Sequence, residues 1–192
     1  IFVLFIICFG FSASFADSTI VYDYGRLAKK TNDVLPFDPA LKPFYHGIAS
    51  GDPLYDRVII WTRITPDVDG PTEVSWVIAK DPACLQVVQS GKVITDQEKD
   101  YTVKVDISGL QSGMHYYYRF AHGNVSSLIG RTKTATSESV SSLRFGIASC
   151  ANYQQGFFNA YAHMAMRNDL DAILFLGDYI YEYQAKGYGY SD

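Results

Sequence analysis

The chain has 192 residues, 48% of them hydrophobic and 15% aromatic, with a formal net charge of −4. That is enough apolar material for one sizeable core or two modest ones. The acidic balance leaves no basic stripe or polybasic tail, which excludes nucleic-acid binding by charge alone.

The first element is the run Ile1-Phe-Val-Leu-Phe-Ile-Ile-Cys8-Phe9, followed by Ser12-Ala-Ser-Phe-Ala16 and Asp17. It reads as the apolar region and small-residue cleavage site of a secretory signal (residues 1–16) that lacks its charged start, with cleavage expected after Ala16. A membrane anchor is the competing reading, but about fifteen apolar residues fall short of the roughly 20 that span a bilayer. The expectation is an exported chain, periplasmic or extracellular, with no stable membrane anchor after cleavage and with both ends reading as cut. In an oxidising compartment the remaining cysteines, Cys84 and Cys150, have the option of pairing. They fall in segments that read as different domains, and a bridge needs α-carbons within about 7 Å.

Residues 17–43 carry Gly25, Lys29-Lys30 and three prolines without a sustained apolar period, and read as an irregular leader. From 44 to 134 short β-rich runs alternate with turns. Val58 to Thr62, Val74 to Ile78, Tyr101 to Ile107 and Tyr116 to Phe120 are the predicted strands. Gly51-Asp52-Pro53, Asp69-Gly70-Pro71, Ser90-Gly91, Ser112-Gly113 and His122-Gly123-Asn124 are the predicted turns. Strands at this spacing point to an antiparallel sandwich. The stretch Leu110-Gln-Ser-Gly-Met-His-Tyr116 resembles the fibronectin type III segment that ends in a tyrosine corner, where the Tyr116 phenol bonds back to the upstream backbone. Tyr116, Tyr117 and Tyr118 are read as packing residues, not as a binding platform.

After a polar linker at 135–142 the pattern changes. Leu143 to Ser149 reads as a strand, Gln154 to Asn168 as a helix, and Asp171 to Gly177 as a second, almost wholly apolar strand. Phe157, Phe158, Tyr161, Met164 and Ala165 share one helical face and are read as core against the sheet. An apolar run such as Ala172-Ile-Leu-Phe-Leu-Gly177 is expected to be covered on both faces. A strand–helix–strand unit of some thirty residues has parallel strands, so Cys150 and Asp178 both emerge at carboxyl strand ends, where open α/β sheets bind ligands.

Asp178 and Tyr181, three residues apart in the loop leaving that strand, can turn onto one point with Cys150. Carboxylate, phenolate and thiolate together suit a strongly Lewis-acidic cation such as trivalent iron better than calcium or magnesium, which take oxygen donors. The bland reading stays open beside it. Gly177-Asp178 is a common turn, and Tyr179, Tyr181 and Tyr183 alternate as in a half-buried strand.

The segments Tyr45-His-Gly-Ile-Ala-Ser-Gly-Asp-Pro53, Arg57-Val-Ile-Ile-Trp-Thr-Arg63, Tyr101 to Leu110, Gly130-Arg-Thr-Lys-Thr134, Leu143 to Tyr153 and Leu170 to Tyr183 together resemble the alkaline phosphatase D family, from about residue 44 onward. The pattern Gly177-Asp178-x-x-Tyr181 is also similar to that of the purple acid phosphatases. The resemblance implies a fibronectin type III-like β-sandwich at 44–134, followed at 143–192 by the start of a calcineurin-like α/β/β/α metallophosphatase domain. It further implies an exported phosphoesterase that hydrolyses phosphate monoesters or phosphodiesters with a metal-bound hydroxide, using iron (Fe3+) and calcium (Ca2+). By the same resemblance Cys150 and Tyr181 are iron ligands and Asp178 bridges iron and calcium, with further Asp, Asn and His ligands expected after residue 192. No role is assigned to Asn152, and Gly51-Asp52-Pro53 is read as a turn in the sandwich, not as a second metal site. The alternative from another class is a non-catalytic fibronectin-like binding module.

Overall fold

The computed structural model describes residues 38–151 and 158–181. The signal-like run, most of the leader, Asn152, Phe157 and Tyr183 lie outside them. The described strands are β1 (Ile48–Gly51), β2 (Arg57–Arg63), β3 (Thr72–Ala79), β4 (Val87–Thr95), β5 (Thr102–Ser108), β6 (His115–His122), β7 (Val125–Ser126), β8 (Gly130–Lys133), β9 (Phe145–Ala148) and β10 (Ala172–Phe175), with one helix, α1 (Asn159–Met166). The protein is therefore mostly β-sheet.

β1, β2 and β5 form one antiparallel sheet, while β4, β3, β6 and β7 form a second, in which β8 also pairs with β6. Alternation decides which side chains face inward. In β2 every second residue is buried, and the same holds along β6. Val58, Ile60 and Val103 of the first sheet meet Val74, Ile78, Tyr118 and Phe120 of the second in one core, each with no exposed surface. Two fully buried threonines beside this core are satisfied by backbone: Thr62 Oγ1 donates to Gly47 O at 2.8 Å and Thr95 Oγ1 to Thr102 O at 2.7 Å. An unpaired buried hydroxyl costs more than the bond itself yields, so these threonines stay compatible with the core only through such contacts.

Tyr116 is buried and its phenol oxygen accepts the Gln111 N–H at 2.8 Å. This is the upstream bond expected of the Leu110 to Tyr116 segment. Ser90-Gly91, expected to be a turn, lies instead inside β4, paired across from Trp76. The reason is steric: a Cβ on Gly91 would stand 2.7 Å from the Trp76 ring. Gly130 repeats the arrangement opposite Tyr118, whose ring would lie closer still to an added Cβ. At both places glycine makes room for an aromatic ring lying across the neighbouring strand.

Residues 38–43, the end of the expected leader, pack on the sandwich: Pro43 is buried and its carbonyl accepts the Thr65 N–H at 2.9 Å. The linker is also tied down, since Ala135 N–H donates to Leu54 O and Ser137 N–H to Ser112 Oγ.

β9 and β10 pair in parallel, with Gly146 beside Ile173 and Ala148 beside Phe175. α1 covers that face: an added Cβ on Gly146 would meet Met164 Sδ at 3.6 Å, and the rings of Tyr161 and Phe175 lie 6.2 Å apart. Phe158 does not belong to the helical face. It precedes α1 with a left-handed φ of 51°. The other sheet face departs from expectation, because Phe145 and Ile147 are 47% and 59% exposed. Among the described residues a two-stranded sheet and one helix supply cover for one side only. No helix among them is long and apolar enough to cross a membrane.

Candidate metal centre

The parallel ladder does not stop where the strands do. Leu176 N–H donates to Ala148 O, Cys150 N–H to Gly177 O at 3.4 Å, Ala151 N–H to Asp178 O at 3.1 Å, and Tyr181 N–H to Ala151 O at 2.8 Å. These bonds zip the loop after β9 to the loop after β10. Cys150 and Asp178 both turn with left-handed φ, 61° and 47°. Such φ values are uncommon for residues other than glycine. Cys84 shares the feature in an ordinary turn, so it is the position at paired strand ends that distinguishes Cys150.

The three expected donors come together. Tyr181 OH donates to Asp178 Oδ2 at 2.7 Å, and Cys150 Sγ donates to the same oxygen at 3.6 Å. Two weakly acidic protons thus converge on one carboxylate oxygen. The Tyr181 phenol is raised well above the ordinary tyrosine range, first by its hydrogen bond to Asp178 and then by Cys150. A cation binding here has to displace that proton, so binding releases protons and weakens in acid. Thiolate, carboxylate and phenolate on one exposed edge fit a Lewis-acidic ion of the iron type and fit a purely oxygen-seeking ion less well. Among the described residues no three His, Cys, Asp or Glu side chains gather at one point. The tyrosine is therefore indispensable to any three-donor set here.

The sequence reads Tyr161 as helix core and Tyr179 as one of an alternating strand set. Tyr161 stacks on Phe158 at 5.7 Å, and its phenol is raised by burial and then by nearby Cys150. Tyr179 turns its ring edge-on to Phe175 at 5.1 Å, with its phenol raised by burial and then by Tyr161. Both flank the donor cluster, and nothing in their helical or alternating spacing separates them from core aromatics. Asp52 and His46, both in the segment Tyr45 to Pro53, lie elsewhere. Asp52 sits exposed at the end of β1 with a φ of 47°, as a turn residue. His46 lies against Arg63, its Nε2 2.6 Å from the guanidinium. Cys84 and Cys150 are both free thiols, and Cys84 is buried.

What fold and edge define together is a sandwich followed by a parallel strand–helix–strand unit that presents sulfur and oxygen donors at its carboxyl end. Residues 29–136 match the family described as PhoD-like phosphatase, N-terminal domain, and residues 145–192 match PhoD-like phosphatase. Alkaline phosphatase D of Bacillus subtilis (strain 168) is 41% identical over 155 residues, covering 76% of this chain and 26% of that protein. The solved structure of PhoD superposes with a TM-score of 0.68 at 38% identity, covering 77% of this chain and 30% of that one. The chain belongs to the PhoD-like phosphatase family. It spans 26% and 30% of the lengths of these two relatives.

Proposed function

We propose that the protein is an exported, metal-dependent phosphoesterase acting on phosphate monoesters or diesters. In this reading the two antiparallel sheets are a fibronectin type III-like domain and β9–α1–β10 opens a calcineurin-like catalytic domain. The observation that carries it is the convergence of Cys150 Sγ, Asp178 Oδ2 and Tyr181 OH within hydrogen-bonding reach on zipped strand ends. The strand order β1-β2-β5 facing β4-β3-β6-β8 and the Tyr116 corner support the fibronectin-like part. The apolar run before Ala16 supports export.

When bound, iron and calcium would supply Lewis acidity, activating water and holding phosphate oxygens. Cys150 and Tyr181 would hold the iron through sulfur and phenolate oxygen, each giving up its proton. Asp178, the acceptor of both groups, would be the carboxylate shared between the iron and the calcium. No side chain of this chain need be phosphorylated.

The test is a substitution series in the full-length protein. Tyr181→Phe removes the phenolate and keeps the ring, so it should abolish most of the visible absorption of a ferric phenolate, whereas Tyr179→Phe stays coloured and active. Cys150→Ser weakens iron retention, because a serine hydroxyl is a far poorer anionic ligand at neutral pH. Asp178→Asn lowers hydrolysis by about a hundredfold or more with the fold intact. Identical behaviour of the two tyrosine variants, or unchanged iron content in Cys150→Ser, overturns the assignment and leaves the non-catalytic module.

A further inference from the structure

Among the described residues, the side-chain hydrogen bonds between the sandwich and the α/β unit come from β8. Arg131 and Lys133 lie two apart on β8 and so point the same way. The Arg131 guanidinium donates to Asn168 Oδ1, to Arg167 O at 2.7 Å and to Ala165 O at 3.5 Å. These are the acceptors at the carboxyl end of α1, where a helix leaves carbonyls without intrahelical partners and favours a cation. Lys133 Nζ pairs with Asp171 at 2.5 Å, and both side chains are only 27% exposed. The second Asp171 oxygen accepts the Arg144 N–H at 2.9 Å, while Asp171 N–H donates to Arg144 O at 2.8 Å. Met164, Leu170 and Ile173 close the apolar part of the same crevice. The Asp171 carboxyl lies below the ordinary carboxylate range, chiefly through Lys133 and then the Arg144 amide.

Asp171 immediately precedes β10, and Arg144 immediately precedes β9. The contacts with β8 therefore grip the amino ends of both parallel strands and the end of the helix between them, while the donor cluster sits at the opposite ends of the same four-residue strands. The ladder between β9 and β10 fixes these strands relative to each other. Among the described contacts, the polar ones that fix them to the sandwich run through Arg131 and Lys133.

We propose that Arg131 and Lys133 are positioning residues: a two-point clamp by which the sandwich holds α1, β9 and β10 in place, and through those strands the spacing of Cys150, Asp178 and Tyr181. On this view the sandwich is a structural part of the site. The clamp itself follows from the contacts above, and only the activity arm of its test rests on the phosphoesterase reading.

The experiment compares full-length, metal-loaded wild type with Arg131→Met, Lys133→Met and the conservative Lys133→Arg. Amide hydrogen exchange is followed at Leu176, Cys150 and Ala151, with amides of β2 and β6 as internal reference, together with kcat and KM on p-nitrophenyl phosphate. Loss of these charged clamp contacts should speed exchange at the first three amides by about tenfold or more while the β2 and β6 amides hold. The same variants lower kcat by about tenfold with KM little changed, because a displaced reacting group is costly even when binding survives. Lys133→Arg keeps the ion pair and restores both readouts. Unchanged exchange in both Met variants overturns the clamp, as does equal acceleration throughout the sandwich or a Lys133→Arg variant indistinguishable from Lys133→Met. If exchange responds as expected but wild type hydrolyses no phosphate ester, the clamp stands and the phosphoesterase reading falls.

Discussion

The sandwich and the strand–helix–strand unit are built from similar residues with opposite outcomes. Val58 and Ile60 in the run Val-Ile-Ile-Trp of β2 have no exposed surface, whereas Ile147 of β9 and Leu176 just after β10 are 59% and 68% exposed. Apolar composition states that a surface requires a partner, and the partner available decides whether burial is achieved. In the sandwich each sheet covers the other. Behind β9 and β10, among the described residues, only α1 provides cover, and only on one side.

The sharpest way to break this comparison is to shorten one side chain in each region. Ile60→Ala should lower the unfolding free energy by about 2–5 kcal/mol, the cost of a cavity in a closed core, measured by denaturant titration. A smaller loss is expected at the corner of the sandwich. Tyr116→Phe deletes the acceptor of the Gln111 N–H and should cost about 1–3 kcal/mol, the range for a buried donor left unsatisfied.

The boundary between the regions gives a pH signature of smaller size. The half-buried His115 imidazole is lowered from its ordinary value of 6.5 by burial first, then by Lys133 and Arg131, with Asp171 opposing. A lowered folded value means that the unfolded chain takes up this proton more readily. Stability is therefore fullest above about 6.5 and declines as pH falls from there toward the folded value. Unfolding midpoints recorded across that window should slope downward in acid, and His115→Gln should flatten the slope. His46, lowered by burial and then by Arg63, supplies a remaining part. The smallest effect closes the comparison: Ile147→Ala, on the exposed face of β9, should change stability of this chain by no more than about 0.5 kcal/mol. Equal losses at Ile60 and Ile147 would show that the two regions are covered alike.

Much of this is legible in the sequence. The alternation in Val58 to Thr62 and Tyr116 to Phe120 marks inward and outward faces directly, and a switch from that period to an apolar run announces a parallel strand. Cys150, Asp178 and Tyr181 can be brought together because parallel strands deliver their following residues to one edge. Gly91 misleads because a glycine beside serine signals a turn locally, while its actual reason, the Trp76 ring, is fifteen residues away in sequence and opposite it in the sheet. The clamp of Arg131 and Lys133 is invisible for a related cause. Two cations spaced by one residue on a strand look like any solvated face, and only the placement of Asp171 and the end of α1 against them gives them partners. Cover of the β10 face also lies beyond what an apolar run can tell.

The left-handed turn at Cys150 sets two kinds of selection against each other. With φ at 61°, that backbone suits glycine, and a β-carbon there is unfavourable by about 1–2 kcal/mol. A library randomised at this position and sorted for thermal resistance should enrich Cys150→Gly over the native residue. On the proposed metal reading, the same library sorted for iron retention should return cysteine. Asp178, whose residue type tolerates a left-handed φ far better, should show little such conflict. The divergence between the two sortings, position by position, would then separate what the loop needs in order to fold from what it needs in order to hold a cation.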